Sequence, residues 1–483
     1  MQCARKLFKK YLLIPKLLYF NVALFFYTLH VYRSQFATYT YNVDAGEWGM
    51  YLAIPQCASF FFGIKAATAN DLYGRQKLVL GGAIIAATVI LCSFFIVKNF
   101  FLFLFLFTLY FSLVSITLPL LDKIVLDYLA NSENADLDSY GRQRQFVSLS
   151  YITVAFIMDT FIVTSTGKGP AKTYNFSLIP TYAIISGAIA FVSIMLWVKN
   201  LPQRNSVPTA TSSFIILLKN SEYLFLLVII LLNGITRASM TNYLSQYFTD
   251  HLEMKSDPPT SPSMGFFEKL HNGRKMTFLI ISSNVPEFLV FILSAKIVSK
   301  FGLLWPIMIS QIFQAVRFLG YIVLNPKDPY RFHYAMLLEL CKGFNFGLIQ
   351  CSIATLALRL CPVNLKSTAQ LVYNGVFVAV GSVVGGLLFK VIFSSHSGSA
   401  SKSAAAYKSV FTYDLVLTGL CILLMVVKYG IKENLLLSKQ NLEDKLKRIE
   451  LEHQKVEEQQ NTMKNNIEKL TSNNFSEASL LEK

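Results

Sequence analysis

Ala67-Thr68-Ala69-Asn70-Asp71-Leu72-Tyr73-Gly74-Arg75-Gln76-Lys77 is a short polar stretch between two apolar runs, Met50–Ala67 and Leu78–Val97. It reads as the turn of a helical hairpin. The small residue lets two helices approach closely, Asp71 pairs with an arginine or caps a helix end, and Gly74 permits the tight bend. The same spacing returns at Ala295, Ser299 and Gly302: a small residue, another position four on, and a glycine seven on. Each copy closes the second apolar run of a set of six, the pattern expected of two parallel six-helix repeats.

Working outward, the apolar runs are Tyr11–Val31, Met50–Ala67, Leu78–Val97, Phe100–Leu121, Phe146–Thr164, Leu178–Val198, Tyr223–Tyr243, Phe278–Val298, Leu303–Leu324, Tyr334–Leu356, Leu371–Phe393 and Phe411–Val427. Most approach the roughly 20 residues that a helix needs to cross about 30 Å of hydrocarbon. The 483-residue chain is 53% hydrophobic and only 15% charged; a soluble domain carries about 25% charge. The expected fold is therefore all-α and membrane-spanning, with twelve transmembrane helices in two six-helix bundles. Residues 1–198 form the first bundle, 199–222 a linker, 223–430 the second bundle, and 431–483 a cytosolic tail.

The net charge of +16 raises the question of nucleic acid. The basic residues flank apolar runs and form no basic face, so a bias toward one membrane surface is the better reading, and no nucleic-acid partner is expected. Arg5, Lys6, Lys9, Lys10, Arg75, Lys77, Arg142, Arg144, Lys199, Arg204, Lys219, Lys296 and Lys300 all fall on the same side of a twelve-span topology. The positive-inside rule makes that side, with both termini, cytosolic. The membrane itself is either the plasma membrane or an endomembrane. Asn175-Phe-Ser then lies in an outer loop as a candidate glycosylation acceptor.

The seven cysteines are scattered singly, which supports neither a disulfide framework nor a metal site. No phosphate-binding loop, zinc-binding helix or nucleophile elbow occurs, so neither an enzyme nor a cofactor is expected. In the tail, Leu442, Leu446, Ile449, His453, Val456, Gln460, Met463, Ile467 and Leu470 alternate steps of four and three. That seam predicts either a coiled coil over 442–470, joining a homodimer or a cytosolic partner, or a lone amphipathic helix.

The polar turn at 67–77 resembles the loop signature of the major facilitator superfamily, with Ala67 in place of the usual leading glycine. Pro119-Leu-Leu-Asp122, Tyr140-Gly-Arg142-Gln-Arg144, Cys341-Lys-Gly-Phe-Asn-Phe-Gly347 and Leu365-Lys-Ser-Thr-Ala-Gln370 are similar to the branch containing lactose permease and the nucleoside–proton symporters. The resemblance covers about Tyr11 to Lys428 and leaves out the tail. It implies a secondary transporter that alternates access to a central cavity, with Asp71, Gly74 and Arg75 as a gating loop.

Ionisable residues inside a membrane are functional candidates by default, because each is costly there unless paired or hydrated. Asp122, Arg144 and Tyr151 match an acid, an arginine and an aromatic that hold and stack on sugar in lactose permease. They are candidates for substrate binding, with a purely structural ion pair, or a position in the cytosolic loop, as the alternatives. Asp159 lies toward the outer end of its run, where a rim or gate role is expected. The second half supplies Arg237, Glu287, Arg317, Glu339 and Lys342, for which cross-helix pairing is expected. Glu287 also joins the substrate candidates, and Glu287 or Glu339 could take a proton if the substrate is proton-coupled. Asn345 stands where lactose permease has its last carboxylate, which puts proton coupling by the same route in doubt. Asn242 and Gln246 are candidate cavity liners, with plain helix–helix bonding as the alternative.

The expected function is movement of a small polar organic solute, sugar- or nucleoside-like, across the lipid bilayer, with protons as a candidate co-substrate. The rival is a transporter-like receptor or scaffold that no longer transports and acts through its tail.

Overall fold

The computed structural model describes residues 12–73, 75–130, 140–164, 173–198, 217, 220–252, 274–361, 366–396 and 400–452. Gly74, most of the 199–222 linker, and the seam residues His453, Val456, Gln460, Met463, Ile467 and Leu470 lie outside these, as does the side chain of Asp71. The described chain is almost wholly helical, apart from a two-residue ladder pairing Val163 with Tyr174 and Thr164 with Thr173.

Among the described residues, nine helices are long and apolar enough to cross a membrane, Gln76–Ser93, Ser221–Gln246, Lys275–Phe301 and Leu304–Val323 among them. Their outward faces carry exposed Val89, Phe101, Leu196, Val323 and Val391. Apolar surface spread this widely is tolerated where lipid, not water, is the solvent. The apolar runs at the first, second and tenth positions form Leu13–Phe26 with Arg33–Tyr41, Ala53–Tyr73 and Arg331–Arg359.

The first run departs from the continuous helix that its sequence predicts. Leu13–Phe26 stops, residues 27–32 form turns, and Arg33–Tyr41 resumes as helix. The Thr28 and His30 amides reach back three residues, to Phe25 and Tyr27, instead of four. The Thr28 hydroxyl also donates to the Phe25 carbonyl at 2.7 Å, competing with the helical ladder. A broken helix is tolerated at membrane depth only where protein or a cavity surrounds it.

One buried core draws solely on residues Leu12 to Val198, and two others solely on Leu217 to Leu446. Close approach between helices depends on small residues. A Cβ on Gly343 would sit 2.2 Å from the Ser283 carbonyl oxygen, so Arg331–Arg359 lies directly against Lys275–Phe301. Pro286 stands inside the latter helix at this contact, where it removes one backbone bond.

The start of the tail returns to the second half. Residues 439–452 are helical, and Leu442 and Leu446 are buried against that half's core. Trp305 Nε1 donates to the Leu436 carbonyl at 2.8 Å. Arg359 pairs with Glu443 at 2.9 Å and Glu450 at 3.0 Å, while Lys445 and Lys428 both reach Glu222. The first two positions of the heptad seam are thus filled by the chain itself.

Candidate functional site

The two halves meet around a set of polar and aromatic side chains. On the first half, the turn at 27–32 aims Tyr27 and His30 at Tyr151 from Phe146–Ile162. The Tyr27 and Tyr151 rings lie 4.5 Å apart, and the His30 ring meets Tyr151 edge-on at 5.6 Å. One turn further, Arg33 is buried at 5% exposure, with its Nη2 donating to the Asn242 amide oxygen at 3.1 Å. His30 and Arg33 also line a crevice with Phe107, Tyr110 and Phe111.

On the second half, Arg237 comes from Ser221–Gln246, and its guanidinium lies 5.1 Å from the Phe377 ring, a cation–π contact. Phe377 sits on a π-helical turn, Val376–Val380, pressed against Gly234; a Cβ there would come within 2.5 Å of the Phe377 carbonyl oxygen. Extra residues in such turns re-aim side chains and recur at functional sites. Glu287 Oε1 accepts from Ser148 of the first half at 3.4 Å, and Lys342 Nζ donates to Ser283 Oγ at 3.2 Å. Lys342 and Arg237 are both within electrostatic reach of His30.

The end remote from the tail is closed by bonds between the halves. Asp159 is 1% exposed and accepts from the Tyr32 hydroxyl and from both the amide and hydroxyl of Thr277, the latter two at 2.7 Å. Arg274 Nε donates to Thr160 at 3.0 Å, and Ser34 to the Asn242 carbonyl at 3.2 Å. Ser382 donates to Gln56, and a Cβ on Gly386 would lie 2.9 Å from the Gly49 carbonyl oxygen.

Toward the tail end, Asp122 accepts from Tyr19 at 2.6 Å and pairs with Arg144 at 3.4 Å, and the Arg144 side chain is 51% exposed. Arg317 makes a buried pair, bonding Glu339 Oε1 through Nη2 at 2.6 Å and Nε at 3.1 Å, with the Tyr321 hydroxyl donating to the same oxygen.

Asp122 and Arg144 thus meet, and Tyr151 stands beside Tyr27. Of the expected cross-helix pairs, Arg317–Glu339 forms. Lys342 reaches Ser283, and Asn345 donates to the Ser310 carbonyl, so this stretch divides between two neighbouring helices. Asn242 serves Arg33, and Arg75 is exposed. Asn175 is exposed, its side chain accepting from the Ser177 amide and hydroxyl. The sequence reading missed Tyr27 and His30, in the last turn of the expected first span, and Arg33 just beyond it. The signal was present: an arginine and a histidine three residues apart at the end of an apolar run.

No curated protein matches the sequence significantly. Solved structures similar in fold include the nucleoside transporter NupG: TM-score 0.66, 17% identity, covering 86% of this chain and 98% of that one. A mutant of the peptide transporter POT, in complex with alafosfalin, gives TM-score 0.62, 12% identity, and 87% and 95% coverage. A bacterial homologue of the human lysosomal transporter Spinster, inward-facing and unoccupied, gives 0.60, 12%, 86% and 95%. These share the transporter fold of a multi-pass membrane protein. Residues 16–402 match the model of the MFS_1 like family, and the chain belongs to that family.

Proposed function

We propose that this chain is a secondary transporter that moves a small polar organic solute through the centre of its two halves by alternating access. The observation that carries the reading is the buried Arg33 with the half-buried Tyr27, His30, Tyr151, Arg237, Glu287 and Lys342 around it. It draws on both halves, and among the described residues bonds such as Asp159–Thr277 seal it at the end remote from the tail. A site shared by two bodies, sealed at one end, is what alternating access requires. In this reading 1–198 and 223–430 are the moving bundles, 199–222 joins them, and both termini face the cytosol. Asp71, Gly74 and Arg75 act as the gating loop, and Asn175 carries glycan on the opposite face.

Glu287 is the carboxylate for proton coupling, because Glu339 is already committed to Arg317 and Tyr321. Asp122 and Arg144 form the entry to the site at the tail end. The receptor reading rests on the tail seam; Leu442 and Leu446 of that seam pack on the chain's own core, and its positions from His453 on lie outside the described residues.

The test is uptake and counterflow by purified protein in liposomes, over sugars, nucleosides and small acids, with and without a pH gradient. Exchange that disappears in Arg144→Ala supports the reading. No exchange of any solute by folded, correctly inserted protein would refute it.

A further inference from the structure

Three central cations have no carboxylate bonded to them among the described residues. Glu339 is matched by Arg317, and Asp122 by Arg144. Asp159, in the closure at one end, and Asp414, behind Ser239, bond neutral groups and not the central cations. Arg33, Arg237 and Lys342 remain at the centre of the described residues, with Glu287 as the one carboxylate left to answer them. Arg33 donates to a neutral amide, and its buried Nε finds no hydrogen-bond acceptor among the described residues. Arg237 lies over a phenyl ring, and its buried Nε is likewise without one.

A buried cation without an anion is among the costliest features a membrane protein can hold, and it persists where something visits to relieve it. A guanidinium presents donors in a planar fork that fits carboxylate or phosphate oxygens. Next to this excess charge, Tyr27, Tyr151 and His30 present ring faces and edges. Such a surface suits a flat or unsaturated portion of a ligand.

We propose that the substrate is an organic anion, with a carboxylate or phosphate bound by Arg33 and Arg237 and a ring portion set against Tyr27 and Tyr151. This deepens the transporter reading and rests on it. The site carries a positive excess before loading and approaches neutrality after it. An anion therefore lowers the cost of passing through the occluded state, whereas a neutral sugar or nucleoside leaves both arginines unmatched.

The test uses matched probes that differ in one acidic group: benzoate against benzyl alcohol, glucuronate against glucose, and uridine 5′-monophosphate against uridine. Binding to the full-length protein is read from the rise in Tm at constant ionic strength. At least one acid is expected to bind where its neutral partner does not, and Arg33→Gln and Arg237→Gln should each weaken it by about tenfold or more. If either variant fails to fold, the methyl ester of the bound acid decides on wild-type protein, and it should not bind.

The proposal is overturned if neutral partners or esters bind as well as the acids, if no acid binds, or if folded variants bind the acid unchanged. Liposome exchange separates the two readings. An acid that binds but never crosses keeps anion recognition and sinks transport; neutral solutes that cross while acids fail to bind do the reverse.

Discussion

Two arginine environments inside this protein are built on opposite terms. Arg317 bonds Glu339 through two nitrogens, and Tyr321 adds a third bond to the same oxygen. Arg33 and Arg237 face an amide and a ring. The first arrangement is complete within the chain and locks Leu304–Val323 to Arg331–Arg359. The second is incomplete, and its deficiency lies where the two halves meet. A charge that closes on itself holds helices together, and one left open is available to a ligand.

The most forceful way to break this comparison is Glu339→Gln, which strands a buried guanidinium. Loss of one partner of a buried pair costs about 3–5 kcal/mol, so folded protein should fall sharply in size-exclusion yield and Tm. A normal Tm would mean that Arg317 is relieved elsewhere, and the contrast with Arg33 would dissolve. Asp159→Asn should act next, on closure more than on folding. Weakening its bonds to Tyr32 and Thr277 should cost the sealed state about 1–3 kcal/mol. A cysteine placed near Thr277 should then label faster with a polar maleimide, and unchanged labelling would remove Asp159 from the closure.

Arg144→Lys keeps charge and loses the planar fork. It should weaken substrate binding by about 1–3 kcal/mol while leaving expression intact. If the Asp122–Arg144 pair is only structural, the double change Asp122→Asn with Arg144→Gln would restore transport. The smallest expected effect sharpens the comparison most. Arg33→Met removes an unmatched buried cation, so Tm should stay level or rise, since apolar replacement of buried charge is often neutral or stabilising. Substrate response should vanish in the same protein. A large fall in Tm would mean that Arg33 belongs with Arg317 as a structural residue.

The fold was legible because its cause is collective. Lipid imposes apolar runs of fixed length, and runs such as Phe100–Leu121 and Leu303–Leu324 announce themselves whatever their neighbours do. The site was harder to read for the same reason. Two of the helices that carry it, Arg33–Tyr41 and Arg331–Arg359 with Lys342, fall outside the strongly apolar spans. Asp122, Arg144 and Tyr151 could be named because their spacing resembles a family pattern. His30 and Arg33 left a charge signal at the end of the run, but the turn that aims them and Tyr27 inward was hidden, since no proline or glycine marks the break between Phe26 and Arg33. That break comes from side-chain competition and tertiary contact, which periodicity does not record. The choice of Arg317 as the partner of Glu339 is a property of helix packing and was equally out of reach.

The docked start of the tail has one further consequence. Its anchors are Trp305 and Arg359 of the second half and Glu222 in the first turn of that half's helix Ser221–Gln246. Residues 439–452 therefore travel with that half alone, as a handle fixed to one jaw of a clamp. A spin label or fluorophore placed there, with its counterpart on Gln76–Ser93, converts any relative rotation of the halves into a change in one measurable distance.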